Sequence, residues 1–295
     1  MRIFVTGATG FIGSQLLPEL LEAGHQVLGL CRSDAGAKQL AARGAEVHRG
    51  DLEDPATLRS GADKADAVIH CAFDHDFSRF MANCQKDKRN IEAMGEALAG
   101  STRPLVITSG TGMGSRSPGD LASEEVFDES NANPRKISEE TGAAVAAARG
   151  VNISYVRLPQ VHDRRKQGLI TPLVEIARAK GRVAYLGEGK NRFAAAHVSD
   201  VARVYKLAVE RAESGARYHA VAEEGIPMRD IAEALGRSLK LAVVSLSAHE
   251  APEYFGWMAM FAGLDIPASS ALTQKKLGWK PVGPGLIADL DKLET

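Results

Sequence analysis

The chain has 295 residues, enough for a sizeable buried core in one large domain or two modest ones. Its hydrophobic share of 44% and charged share of 25% are ordinary for a globular protein, and a formal net charge of -1 gives no electrostatic ground for a nucleic-acid or anionic-membrane partner. No apolar run reaches the ~18 residues of a membrane helix, and three cysteines without paired metal-type spacing point to reduced thiols in a cytoplasmic protein with no signal peptide.

The chain opens on the apolar run Ile3-Phe4-Val5, followed by Thr6-Gly7-Ala8-Thr9-Gly10-Phe11-Ile12-Gly13 and then by Leu16, Leu17, Leu20 and Leu21 at helical spacing. Strand, glycine turn and helix in that order make an anion cradle. The helix start offers unpaired N–H groups and the positive end of its dipole to a pyrophosphate. Gly7 makes the tight turn, Gly10 lets the backbone approach the phosphates, and Gly13 lets the helix pack on the strand. The spacing is Gly-x-x-Gly-x-x-Gly rather than the generic Gly-x-Gly-x-x-Gly, and a plain structural turn is the competing account.

Strands are predicted at Arg2–Val5, Gln26–Cys31, Glu46–His48, Ala67–Cys71, Leu105–Thr108 and Ile153–Arg157. Helices are predicted between them at Phe11–Ala23, Ala35–Arg43, Pro55–Arg59, Phe80–Leu98 and Arg135–Arg149. This alternation argues for parallel βαβ units in a doubly wound α/β domain. Gly24 and Gly44 stand where a left-handed glycine ends a helix. Pro18 predicts a kink in the first helix. The connection Gly110–Asn133, dense in Gly, Ser, Pro and Asp, is expected to face substrate. Beyond it a helix is expected at Ile170–Ala179, loop and short strand over Tyr185–Phe193, and an amphipathic helix at Val198–Ala212. Residues 1–167, with 194–217 returning to them, form the predicted dinucleotide domain; 168–193 and 218–295 form a smaller α/β substrate lobe.

The octapeptide Thr6–Gly13 resembles that of the extended and atypical short-chain dehydrogenases/reductases, the NAD-dependent epimerase/dehydratase-like family, which carry Thr-Gly-x-x-Gly-x-x-Gly at this place. The resemblance implies a Rossmann fold with a small C-terminal lobe, a nicotinamide cofactor, a small-molecule substrate, and a homodimer built on the helices Phe80–Leu98 and Arg135–Arg149. The second strand ends in Cys31-Arg32-Ser33 without a carboxylate, so NADP is favoured and NAD stays open. Arg32 and Ser33 would take the 2′-phosphate, unless Arg32 is a plain surface charge. By resemblance Asp51 and Leu52 meet the adenine, although Asp51 is equally placed to cap the next helix. Cys71, Ala72 and Phe73 match the loop beneath the adenosine ribose. Asn90 matches the interior Asn of the central helix, with a solvent-facing Asn as the alternative. Leu158, Pro159 and Val161 match the segment that meets the nicotinamide amide. Ser199 or Asp200 is expected to cap the following helix. His70, Asp74, His75 and Asp76 are too close in sequence to converge on a metal, and none is expected.

The catalytic side departs from the family. Ser109, at the end of Leu105–Thr108, matches its carbonyl-holding Ser. The five tyrosines (Tyr155, Tyr185, Tyr205, Tyr218, Tyr254) all miss the helix that should carry Tyr-x-x-x-Lys. Aligning Ser138-Glu139 with the family's small residue–Glu pair puts Arg135 at the Lys and Asn131 at the Tyr. Arg135 holds a ribose or an anionic group but is a poor proton donor at neutral pH. The proton would come from Lys136, His162 or water, with His162 best matched in pKa. A catalytically silent cofactor-binding sensor and an epimerase or dehydratase are the rival readings.

Overall fold

The computed structural model describes residues 1–294. Six strands, β1 (Arg2–Thr6), β2 (Gln26–Cys31), β3 (Glu46–Arg49), β4 (Ala67–His70), β5 (Pro104–Gly110) and β6 (Asn152–Leu158), alternate with helices α1 (Phe11–Glu22), α2 (Asp34–Ala42), α3 (Pro55–Asp63), α4 (Phe80–Leu98) and α5 (Ile137–Arg149). The second half runs β7 (Gln160–His162), α6 (Ile170–Lys180), β8 (Arg182–Leu186), β9 (Arg192–His197), α7 (Val198–Arg211), β10 (Arg217–His219), β11 (Glu223–Pro227), α8 (Met228–Leu239), β12 (Ala242–Leu246), α9 (Ala251–Phe255), α10 (Ala259–Ala262), α11 (Ala271–Leu277) and α12 (Leu286–Leu290).

The large sheet has the order β10-β6-β5-β4-β1-β2-β3 and is parallel throughout. It is a doubly wound Rossmann sheet. Strand periodicity sends Ile3 and Val5 to one face, against Leu16 and Leu20 of α1 and Tyr205 of α7, and Phe4 to the other, among Leu58, Ile91 and Leu105. With both faces covered, the strands read as continuous apolar runs. β11-β9-β7 and β12-β8 form two small sheets, and a separate core of Leu173, Phe193, Ile231, Leu235 and Phe255 gathers around them. Tyr218 and His219, assigned to the smaller lobe from sequence, lie in β10 at the edge of the large sheet, paired with Val156 and Arg157. Among the described residues no helix is long and apolar enough to cross a membrane.

Gly24 and Gly44 adopt the expected positive φ, +81 and +82. Pro18 does not interrupt α1. Its missing N–H would orphan the Ser14 carbonyl four residues back, and Arg43 Nη1 donates to that oxygen at 2.8 Å. The helix predicted from Arg135 starts instead as one 3-10 turn, Pro134–Lys136, because Asn133 caps it through the Arg135 N–H at 2.9 Å before α5 begins at Ile137.

Candidate active site

The β1–α1 turn is built by backbone approaching backbone. Gly7 has φ +68, and its carbonyl accepts the Gly10 N–H at 2.8 Å. A Cβ on Gly13 would stand 2.1 Å from the Gly7 oxygen, and one on Gly7 would stand 2.9 Å from the Ala72 nitrogen. The three segments can meet this closely only with hydrogen at those positions. α1 starts after Gly10 with no side-chain cap and no acid in its first turn, so its leading N–H groups point outward unpaired. Thr9, Phe11 and Ile12 flank them, partly exposed. This is a cradle that fits a dinucleotide pyrophosphate.

At the neighbouring strand ends Arg32 is 80% exposed, with Asp51 Oδ2 3.9 Å from its Nη1. Ser33 caps α2, accepting the Gly36 N–H at 3.1 Å. Capping of α3 belongs to Asp54 rather than Asp51, which accepts the Glu53 N–H at 3.0 Å; Leu52 is half-buried beside it. Cys71, Ala72 and Phe73 are half-buried at the end of β4, and the Ala72 N–H donates to Thr6 Oγ1 at 3.2 Å. Asn90 faces inward at 1% exposure with its Oδ1 unpartnered, which removes the solvent-facing alternative.

Around Arg135 the contacts are ionic. Its guanidinium donates to Asp87 Oδ2 at 2.5 Å, to the Thr108 carbonyl at 3.1 Å and to Ser138, and lies 4.1 Å from the centre of the Phe73 ring. Asp87 is 2% exposed and also accepts from Ser138 Oγ at 2.6 Å and from His70 Nε2 at 3.0 Å. His70 Nδ1 in turn meets Thr6 Oγ1 at 2.7 Å, which ties this cluster to β1. Burial works against the Asp87 charge, yet Arg135, His70 and Ser138 prevail and hold its carboxyl well below the usual carboxylate range. Asn131 donates Nδ2 to the Gly112 carbonyl at 3.0 Å.

A second cluster starts one residue further along α5. Glu139 accepts Arg157 Nε at 2.7 Å, Arg157 Nη2 at 2.8 Å and Arg217 Nε at 2.9 Å. Arg157, fully buried, also donates to the Val126 carbonyl at 2.8 Å and contacts His219 at 3.2 Å. Burial and then the Arg157 charge push His219 down to about 3, so it is neutral. This cluster pins the 110–133 connection from below. Glu124 grips Thr273 through two bonds of 2.9 Å, and the Gly119 carbonyl accepts Arg192 Nη2 at 2.9 Å. The long connection is clamped in place.

The expected catalytic groups fare unequally. Ser109 stands one residue before the end of β5 but is 3% exposed, its hydroxyl buried beside Glu139. His162, fully buried, gives Nδ1 to Asp289 at 2.8 Å, so its expected role as proton donor has no route to a substrate here; burial lowers its pKa although Asp289 opposes this. Lys136 is held by the Glu129 carbonyl and by Glu140 at 3.6 Å. Leu158 and Pro159 are half-buried, and Val161, 6% exposed, packs into the core against the large sheet. Tyr205 reaches Thr108 Oγ1 at 2.6 Å but is fully buried, and burial raises its pKa well above the ordinary value. Asp200 is buried too: it receives the Val282 and Gly283 N–H groups at 3.0 and 2.9 Å, while His197, not Ser199 or Asp200, caps α7. Sequence reasoning missed Asp87 and weighed His70 only as a metal ligand. The legible signal was a charged residue, Asp87, on the inward stripe of α4 that also carries Asn83, Asn90, Ile91 and Met94.

The sequence profile of the NAD dependent epimerase/dehydratase family matches residues 3–222. An uncharacterised protein of Schizosaccharomyces pombe is 46% identical over 291 residues, 98% of either chain. The 2-alkyl-3-oxoalkanoate reductase of Stenotrophomonas maltophilia is 31% identical over 255 residues, 80% of this chain and 74% of that one. Among solved structures, the dTDP-glucose 4,6-dehydratase of Streptomyces venezuelae with NAD bound superposes with a TM-score of 0.77 at 19% identity, covering 99% of this chain and 95% of its own.

Proposed function

This chain belongs to the NAD dependent epimerase/dehydratase family, and we propose that within it the protein is a cytoplasmic NADP-dependent oxidoreductase acting on a small carbonyl compound or the matching alcohol. The observation that carries this reading is the uncapped start of α1 between Gly7 and Gly13, with Arg32 exposed and no carboxylate ending β2. The reductase from Stenotrophomonas maltophilia, similar over 80% of this chain, supports the reaction class.

A bound nicotinamide cofactor supplies or takes the hydride. The N–H groups of Phe11, Ile12 and Gly13 hold its pyrophosphate, with Thr9 and Gly10 alongside. Arg32 and the Ser33 hydroxyl take the 2′-phosphate, Asp51 and Leu52 border the adenine, and Cys71-Ala72-Phe73 bed the ribose. Asn90, Leu158, Pro159 and Val161 line the nicotinamide end. Because Asp87 neutralises Arg135 at 2.5 Å, the guanidinium positions a ribose hydroxyl and does not attract an anion. Ser109, buried beside Glu139, would meet a carbonyl oxygen only where its hydroxyl is uncovered. With His162 sealed and Lys136 tied to Glu129, water is the remaining proton donor.

The same facts favour a second reading: Asn131 in place of the phenol and a sealed Ser109 suit a cofactor-binding sensor without turnover. Epimerase or dehydratase chemistry is also consistent with the family. Fluorescence titration of NADPH and NADH, followed by NADPH oxidation over aldehydes, ketones and quinones, separates these readings. Replacing Arg32 by Ala should cost NADPH about 1.5–3 kcal/mol of binding and leave NADH unchanged. Equal affinities for the two cofactors in wild type would end the NADP assignment. Turnover with any carbonyl would end the silent reading. Assembly is a separate proposal: Ala143, Ala144, Ala147 and Ala148 line the exposed face of α5, and a homodimer through α4 and α5 should sediment at twice 31.4 kDa.

A further inference from the structure

Six rings meet where the β4–α4 connection faces the smaller lobe. Phe73, His75, Phe77 and Phe80 come from the connection and the start of α4; Trp257 and Phe261 come from the stretch between α9 and the end of α10. Phe73 lies edge-on to Phe80 at 6.2 Å, and Phe80 meets Phe77 at 5.6 Å. Phe77 stacks on Trp257 at 5.4 Å with only 15° between the planes, and Phe261 closes on Phe77 edge-on at 5.7 Å. The inner end of this surface is the face of Phe73 against Arg135 at 4.1 Å, and the outer end is Trp257, 50% exposed. One aromatic wall therefore runs from the loop after β4, beside Arg135, to solvent.

Both sides of the wall are anchored from behind. Asn83 Nδ2 holds the Asp76 carbonyl at 2.9 Å and Lys86 pairs with Asp74 at 2.9 Å, while Phe255 and Met258 are buried in the core of the smaller lobe. Across the junction itself, among the described residues, neither a hydrogen bond nor an ion pair joins residues 73–80 to residues 250–264. Ring contacts join the two sides there, with no polar pair to be broken by a ligand's approach. Met260, 67% exposed, extends the apolar surface outward. Ring faces favour flat partners, because offset stacking and edge contacts depend on the quadrupole of both rings.

We propose that this wall selects a carbonyl compound bearing a flat aromatic ring, which stacks on the exposed Trp257, backed by Phe77, with its carbonyl directed along the wall toward Phe73 and Arg135. The proposal rests on the reading of the chain as an NADP-dependent oxidoreductase and extends it to the substrate class.

Acetophenone and cyclohexyl methyl ketone form a matched pair of eight-carbon ketones that differ in ring flatness. Calorimetric titration into the NADPH-loaded protein should give acetophenone an affinity about five-fold tighter. Tryptophan emission excited at the red edge should respond to acetophenone through Trp257, since Trp279 is 2% exposed. Trp257→Ala and Phe77→Leu should each erase the preference while leaving NADPH affinity unchanged. Equal affinity for the two ketones, binding of neither, or an intact preference in both variants would overturn the proposal. Titration of NADPH alone tests the underlying reading: a chain that ignores NADPH refutes that reading whatever the ketones do.

Discussion

At the β1–α1 turn the chain is held by backbone against backbone, with no charged group among Gly7, Gly10, Gly13 and Ala72; around α5 it is held by ions buried away from water. The first arrangement leaves donors free on α1, because nothing inside the protein uses them. The second uses its charges up. Ser138 and Glu139, adjacent in α5, serve different clusters: Ser138 joins Asp87 and Arg135 toward the cleft, and Glu139 joins Arg157 and Arg217 beneath the 110–133 connection. A steric cradle admits little substitution, since the space is already filled. An ionic cluster tolerates exchange as long as charge is balanced, and the Arg135–Asp87 pair orders the start of α5 in this way.

Removing one charge from the sealed cluster should be the costliest change. Glu139→Gln leaves Arg157 and Arg217 facing each other, and breaking such a pair costs about 3–5 kcal/mol in urea unfolding. A loss under about 1 kcal/mol would mean that water reaches this cluster and that the contrast with the cradle is false.

The cleft-side cluster should come next. Because the Arg135 side chain is 12% exposed, Asp87→Asn should cost less, about 2–3 kcal/mol. The depressed carboxyl contributes its full stability above the ordinary carboxylate pKa of about 4 and loses it as pH falls further, so wild type and Asp87→Asn should converge in acid. Divergence on acidification would reverse the sign and refute the assignment. A double variant that also replaces Arg135 by Gln should recover part of the loss, as expected for coupled neighbours.

Gly13→Ala probes the other end. Its Cβ would fall 2.1 Å from a backbone oxygen, and the resulting shift should cost about 1–3 kcal/mol. That loss should not change with pH, and cofactor affinity should fall with it. A Gly13→Ala protein that binds NADPH normally would show that the cradle does not depend on this contact.

The sequence alone determined the parallel α/β order, the glycine turn, and strands or helices such as Gln26–Cys31 and Phe80–Leu98, each found with the predicted bounds. These features are local: side-chain periodicity, a left-handed glycine and a missing Cβ act within a few residues of where they are read. Only the tertiary structure decided the rest. Arg135 meets Asp87 across 48 residues, Arg217 meets Glu139 across 78, and His162 meets Asp289 across 127. The residue types of Arg135 and His162 marked ionisable groups, but whether each faced solvent or an interior carboxylate depended on distant segments. β10 joined the large sheet, and Asp200 turned inward to hold residues 282–283, for the same reason. Burial and charge pairing are properties of what surrounds a side chain, and that surrounding is assembled only when the chain has folded.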